Sequence, residues 1–170
     1  DTFDSSGLIS VDRSLWRASR SLRLVAPSTR NIFTSEANGT ATSFLWPSLS
    51  TSAKMMVDPD GNTNAANNDI LDWIRGDSAH EGTKYRDRSV TWIGGTEFHN
   101  KMGSIVNSSP AYVGPPTEFF SDNNYSAFRQ AKRNRVPMVY VGANDGMLHA
   151  FEAGNANATG STPGREVFAY

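Results

Sequence analysis

VPMVYVGANDGMLHAF, Val136–Phe151, reads as two strands closed by a tight turn. Val136, Met138, Val139, Tyr140 and Val141 make a β-branched and aromatic run suited to a buried strand. Asn144-Asp145-Gly146 follows. Asp-Gly between two apolar runs signals a hairpin, because the favoured two-residue turn needs positive φ at both central positions. Beyond it the residues alternate, with Met147, His149 and Phe151 on one face and Leu148, Ala150 and Glu152 on the other. A second glycine-containing turn at Gly160–Gly164 leads into REVFAY, Arg165–Tyr170, a third strand. A meander with apolar residues on both faces must be covered on both, as a propeller blade is by its two neighbours.

Upstream, Thr29–Trp46 reads as another hairpin, closed at Asn38-Gly39, and a short strand is expected near Leu8–Val11. Residues 15–24 suit a helix or a loose strand equally. Residues 48–69 are rich in Ser, Thr, Asp and Asn and read as a surface loop. The loop runs into a short helix with Asp69 as N-cap, an apolar stripe of Ile70, Leu71, Trp73 and Ile74, and Gly76 as terminator. Residues 77–102 are polar and charged, with Tyr85, Arg86, Arg88 and Trp92 scattered through them. Met102–Gly114 is a strand interrupted by Pro110, hence an edge strand or two short ones. Asn124–Lys132 reads as a helix with Tyr125 and Phe128 facing inward. The expectation is an all-β chain of seven or eight short strands and two small helices. It amounts to a partial β-propeller, residues 1–170 being a fragment of one such domain, with short helices and a polar loop and helix insertion at about 48–102.

The chain has 170 residues, 38% hydrophobic and 19% charged, enough for one core of modest apolar content. A net charge of −1 supplies no global field toward nucleic acid or anionic membrane. The absence of cysteine excludes disulfides, thiol catalysis and thiolate metal sites. No apolar run is long enough to suggest a transmembrane helix. Asp1 in place of an initiator Met, and a last strand running to Tyr170, suggest a piece of a longer protein.

Four stretches are candidates for binding. In Asp58–Asp69, oxygen ligands at alternate positions can converge on a hard cation of calcium size. Asp58, Asp60 and Asn62 take the first, third and fifth positions, Asn64 the seventh through its carbonyl, and Asp69 closes the loop. Glycine stands two places early and Asp is a shorter closing ligand than Glu; the plain alternative is a solvated Asx-rich loop. Arg75-Gly76-Asp77 can present a guanidinium and a carboxylate at the ends of an exposed turn, the pattern integrins bind. The plain alternative makes Gly76 a helix terminator with Arg75 and Asp77 solvated. Asn144–Gly146 with His149 reads as turn chemistry beside a packing histidine. Arg129–Arg135 carries four basic residues in seven, but without interleaved aromatics it reads as a solvated helix end. Catalysis has little support, since His80, His99 and His149 are scattered and no nucleophile elbow, zinc-protease or phosphate-loop motif occurs.

SIVNSSPAYVG (Ser104–Gly114), the Tyr125–Phe128 segment, VYVGANDGMLHAF (Val139–Phe151) and REVFAY together resemble the C-terminal propeller of the PilC/PilY family of type IV pilus tip-associated adhesins. Ser28–Ser35, Ile70–Asp77 and Tyr85–Arg88 resemble that family in the same order. One departure is Met102-Gly103-Ser104, where the family has Leu-Gly-Asp. The resemblance implies a non-enzymatic protein of the bacterial surface or pilus tip, which promotes pilus assembly and extension and mediates adhesion. It implies Ca²⁺ just upstream of Arg75–Asp77, and as partners minor pilins, the remaining blades, and a host-cell receptor such as an integrin. It implies no nucleic acid. The meander alone is also similar to quinoprotein dehydrogenase repeats, the alternative reading; Trp16, Trp46, Trp73 and Trp92 do not recur at blade spacing as docking motifs there would.

Overall fold

The computed structural model describes residues 15–91, 95, 97–154 and 161–170. The strand expected at Leu8–Val11, Gly160 and Trp92 lie outside the described residues. Helix α1, Ala18–Arg23, decides the ambiguous stretch at residues 15–24. Tertiary burial selects the helix: Leu22 packs against Val141 and Phe151. Trp16 stands just before it, its ring 5.7 Å from that of Phe151 and its Nε1–H donating to the Ala153 carbonyl.

Strands β1 (Phe33–Ser35) and β2 (Ala41–Ser43) form the expected hairpin. Its turn differs from the two-residue form. Gly39 N–H donates to the Glu36 carbonyl, Glu36 N–H to the Thr40 carbonyl, and Gly39, with φ 81°, is the left-handed residue. This is a type I turn followed by a glycine bulge, which needs positive φ once rather than twice.

Helix α2, Thr51–Val57, stands where a loop was expected. Ser50 caps it by accepting from Ala53 N–H. Ala53 and Val57 reach the cluster of Trp46, Leu49 and Leu71. The polar flanks of this segment hide a run of good helix formers, Ala53-Lys54-Met55-Met56. Helix α3, Asp69–Arg75, is capped by Asn68 and not by Asp69; the Asn68 Oδ1 accepts from Ile70 and Leu71 N–H, both at 3.1 Å. Gly76 ends it at φ 110°.

Strands β3 (Ser89–Thr91) and β4 (Glu97–His99) pair inside the stretch read as scattered polar residues. Strand β5, Ala111–Val113, begins just after Pro110 and is the edge strand anticipated there. Helix α4, Asn123–Lys132, is capped by Asp122. Phe128 does not face inward as expected but is exposed.

Strands β6 (Met138–Gly142), β7 (Leu148–Glu152) and β8 (Glu166–Ala169) complete a four-stranded antiparallel meander in sequence order from β5 to β8. The β6–β7 turn repeats the first hairpin: Gly146 N–H donates to the Ala143 carbonyl, Gly146 carries φ 85°, and Asp145 keeps a negative φ. Ala169 N–H donates to the Asn31 carbonyl, so the chain before β1 runs parallel along β8. One face of the sheet is thus closed by α1, while the turn residue Met147 joins Ile32 and Ala169 in a second cluster. Among the described residues four α-helices stand where two small ones were expected, and the β structure is divided among three sheets that do not close on one another.

Candidate functional site

Among the described residues, a concentration of buried charge begins at the β6–β7 turn. Asp145 Oδ2 accepts from Gly103 N–H at 2.8 Å, and Oδ1 accepts from Met147 N–H at 3.1 Å. Strand alternation places His149 on the inner face of β7, where it is 0% exposed and stacks on Phe151. Its Nε2 lies 3.0 Å from Asp145 Oδ2 and its Nδ1 2.8 Å from Glu166 Oε1. Both ring nitrogens face carboxylate oxygens, which only accept, so the arrangement selects the doubly protonated imidazolium. Burial would push His149 down, but its bonds to Asp145 and Glu166 hold its pKa above the ordinary value. Burial likewise pushes both carboxylates up. Donation from His149 to Asp145, and from Arg30 and His149 to Glu166, outweighs it and leaves each below its usual range.

Glu166 receives Arg30 through two parallel bonds of 2.8 Å. The third arm of Arg30 donates to the carbonyl of Arg75 at 2.8 Å, and Arg75 in turn donates to the carbonyl of Arg30 at 2.8 Å. Arg75 also donates to Phe44 O at 2.7 Å and to Pro27 O at 2.9 Å. A buried polar spine therefore runs Gly103–Asp145–His149–Glu166–Arg30–Arg75. It ties the sheet to α3 and to the loop ends of the first hairpin.

Gly76 is the helix terminator of the plain reading, but Arg75 departs from both sequence expectations. Arg75 is 2% exposed, neither solvated nor presented on a turn. Its helix ends against the chain before β1, whose carbonyls need a donor that only a long cation can supply. Gly76 is buried as well, and a Cβ there would meet the Lys101 side chain. Asp77 is half-buried; its Oδ1 accepts from Ala79 N–H at 2.7 Å, and its carbonyl accepts from Arg88.

In the Asp58–Asp69 loop, Gly61 lies so close over Asp58 that a Cβ would fall 2.4 Å from Asp58 Oδ2. The Asn62 side chain turns back to accept from Asn64 N–H at 3.0 Å, and Asp60 is exposed. Asp58 Oδ2 is held by the Asn68 amide at 2.6 Å. Asp69 stands apart from these: its carboxylate is taken by Lys84 at 3.1 Å, which lowers its pKa. Asp58 is thus paired with Asn68, Asn62 with Asn64, and Asp69 with Lys84.

Among the described residues, Glu81, Asp87 and His99 bring ligand atoms within 4.8 Å of one another. Arg88 already bonds Glu81 at 2.5 Å, which offsets one of the two carboxylate charges. A cavity of about 500 Å³ opens beside Asp145, lined by Trp73, Ile74, Arg86, Arg88, Lys101 and Asn144 among others. That size suits a small polar ligand. Burial, then Arg30 and Arg88, pull the Lys101 pKa down. The residues that sequence reasoning passed over are Arg30 and Glu166. Their signal is a charged group inside an otherwise strand-like run, which must be paired if buried; the partner lies 136 residues away.

Residues 102–170 match the family model described as the PilY1 beta-propeller domain. A type IV pilus biogenesis factor PilY1 homolog of Xylella fastidiosa is 42% identical over 110 residues, covering 59% of this chain and 8% of that protein. Type IV pilus biogenesis factor PilY1 of Pseudomonas aeruginosa strain PAK is 36% identical over 141 residues, 75% of this chain and 10% of that protein. That of strain UCBPP-PA14 is 33% identical over 164 residues, 87% of this chain and 13% of that protein. The chain spans about a tenth of the length of the curated relatives it matches. No solved structure matches.

Proposed function

We propose that this chain is a member of the PilC/PilY family and supplies one blade and the adjoining insertion of the β-propeller of a type IV pilus biogenesis factor. The observation that carries the reading is the antiparallel meander from Ala111 to Ala169, which falls inside the matched residues 102–170. In this reading the protein acts at the pilus or cell surface, where it assists assembly and extension with minor pilins, and the remaining blades complete the ring. No helix among the described residues is long and apolar enough to cross a membrane. A non-enzymatic role fits the spine, whose His149 has both ring nitrogens committed to carboxylates and none left to serve as a base. The dehydrogenase alternative is not favoured: Trp16, Trp46 and Trp73 pack locally on Phe151, Leu71 and Tyr85 rather than repeating as docking motifs. A strain lacking the full-length protein is expected to lose most surface pili, counted by electron microscopy, and to regain them on complementation. Unchanged piliation would sink the reading.

The finer reading adds Ca²⁺ on Asp58, Asp60, Asn62 and Asn64, with Asp69 joining once it releases Lys84. Calorimetric titration of the full-length protein with Ca²⁺ is expected to give at least about tenfold weaker affinity for Asp60→Ala. Equal affinities would remove the metal from this loop. Attachment to a surface or host-cell receptor falls, in this reading, to groups other than the Arg75 guanidinium, whose contacts hold the fold.

A further inference from the structure

We propose that helix α4 and the Phe119-Phe120 turn before it form a docking surface for an acidic segment of another protein. The surface goes beyond the pilus reading and lies on a different part of the chain from the spine. Helix α4 has ten residues, too few to be stable in water without packing. Yet none of its described side chains is buried; Tyr125 and Arg129 are half-buried and the others are exposed. Phe119 is 82% exposed, Phe120 62% and Phe128 42%. Exposed aromatics grouped in this way mark interaction sites rather than ordinary surface.

The rings are organised among themselves. Phe120 meets Tyr125 edge-on at 4.8 Å, and Tyr125 meets Phe128 at 5.9 Å. Arg129 lies over Phe119 at 4.1 Å, and Arg135 over Phe128 at 5.8 Å. The interleaved aromatics that the sequence of residues 129–135 lacks are thus supplied by residues 119–128. Arg129, Lys132, Arg133 and Arg135 crowd one end of the helix, although the whole chain carries a net charge of −1. Among the described residues no carboxylate pairs with any of the four. The nearest acid in sequence, Asp122, caps the helix.

Charge complementarity therefore selects an acidic occupant, and the ring geometry selects among acidic ones. A nucleic-acid strand stacks its bases on open ring faces, whereas Arg129 occupies one face of Phe119 and Tyr125 meets both Phe120 and Phe128. A lipid surface needs a broad apolar helix face, and α4 offers only Tyr125, Ala127, Phe128 and Ala131. A protein segment with carboxylates beside apolar anchors suits aromatic and arginine contacts best.

The probe is a labelled synthetic peptide, Glu-Leu-Asp-Phe in tandem repeats, titrated with the full-length protein and read by fluorescence anisotropy. Binding is expected to weaken at least tenfold when Arg129→Glu, Lys132→Glu and Arg133→Glu are combined. It is expected to weaken similarly for Phe119→Ser with Phe120→Ser, and to fall as salt rises. These side chains fill no core cluster, so both variants are expected to melt like wild type. No binding of the peptide by wild type would overturn the proposal, as would equal binding by the charge-reversed protein. Tighter binding of a labelled single-stranded oligonucleotide or of phosphatidylserine vesicles would assign the surface to those instead. Charge reversal that lowers the melting temperature without touching peptide binding would mean that the rest of the polypeptide covers the helix, and would also overturn it.

Discussion

Arg75→Ala is expected to lower the melting temperature of the folded protein by about 10 °C or more. The buried guanidinium holds three carbonyls, those of Phe44, Pro27 and Arg30, at 2.7 to 2.9 Å. Alanine removes all of these donors at once. A charged hydrogen bond contributes about 1.5–3 kcal/mol net, and each orphaned buried acceptor costs about 1–3 kcal/mol. Because the losses share one site they do not simply add, and a total of about 3–5 kcal/mol is the expected scale for breaking such a network. That is a large part of the 5–15 kcal/mol by which domains are typically stable. Lysine should rescue little, since its point charge cannot reach three diverging carbonyls. Asp77→Ala is the control: its carboxylate accepts one turn N–H, and the loss should stay near 1 kcal/mol. If Arg75→Ala melted like wild type yet failed to attach to cells, the arginine would belong to recognition and not to the fold.

The local features of this fold were legible, and the long-range ones were not. The β6–β7 meander follows from side-chain alternation and turn chemistry, both written within a few residues. Pro110 marked the edge strand because it cannot donate within a sheet. Gly76 marked the end of α3 for a similarly local reason. The cap of that helix was misplaced by one residue because Asn and Asp are near-equal caps, and the choice falls to Asn68, whose amide also holds Asp58. Helix α2 was hidden by composition, its helix formers being flanked by Ser and Asx residues. The tripeptide at Arg75 shows the deeper limit. A short motif describes side chains as if each were free, whereas burial is decided by what lies across the fold. Here that is Phe44, Pro27 and Arg30, 31 to 48 residues away in sequence. Nothing local in TRNIF or REVFAY names the other end of the Arg30–Glu166 pair.

The same spine makes stability depend on pH from both sides, and His149 sets the alkaline limb. Its folded pKa lies above the unfolded value near 6.5. The imidazolium therefore stabilises fully below about pH 6.5, and that contribution is lost as pH rises through the higher folded value. Asp145 and Glu166 have the opposite sign. Their folded values lie below the unfolded ones, so their contribution is complete above about pH 4.5 and is lost as pH falls through the folded values. Melting temperature should thus form a plateau between about pH 4.5 and 6.5 and decline on either side. His149→Gln should lower the plateau, because one amide end donates to a carboxylate while the other turns an oxygen toward the second. Two buried carboxylates would then share the charge of Arg30 alone, a loss of about 3–5 kcal/mol. The substitution should also flatten the alkaline limb, since position 149 no longer titrates, and should shrink the acid limb, since Asp145 loses the donor that held its pKa down. Calorimetric melts of wild type and His149→Gln across pH 4 to 9 would separate these contributions. An alkaline limb of the same slope in both proteins would show that the imidazolium is not what holds β7, β8 and the turn at Asp145 together.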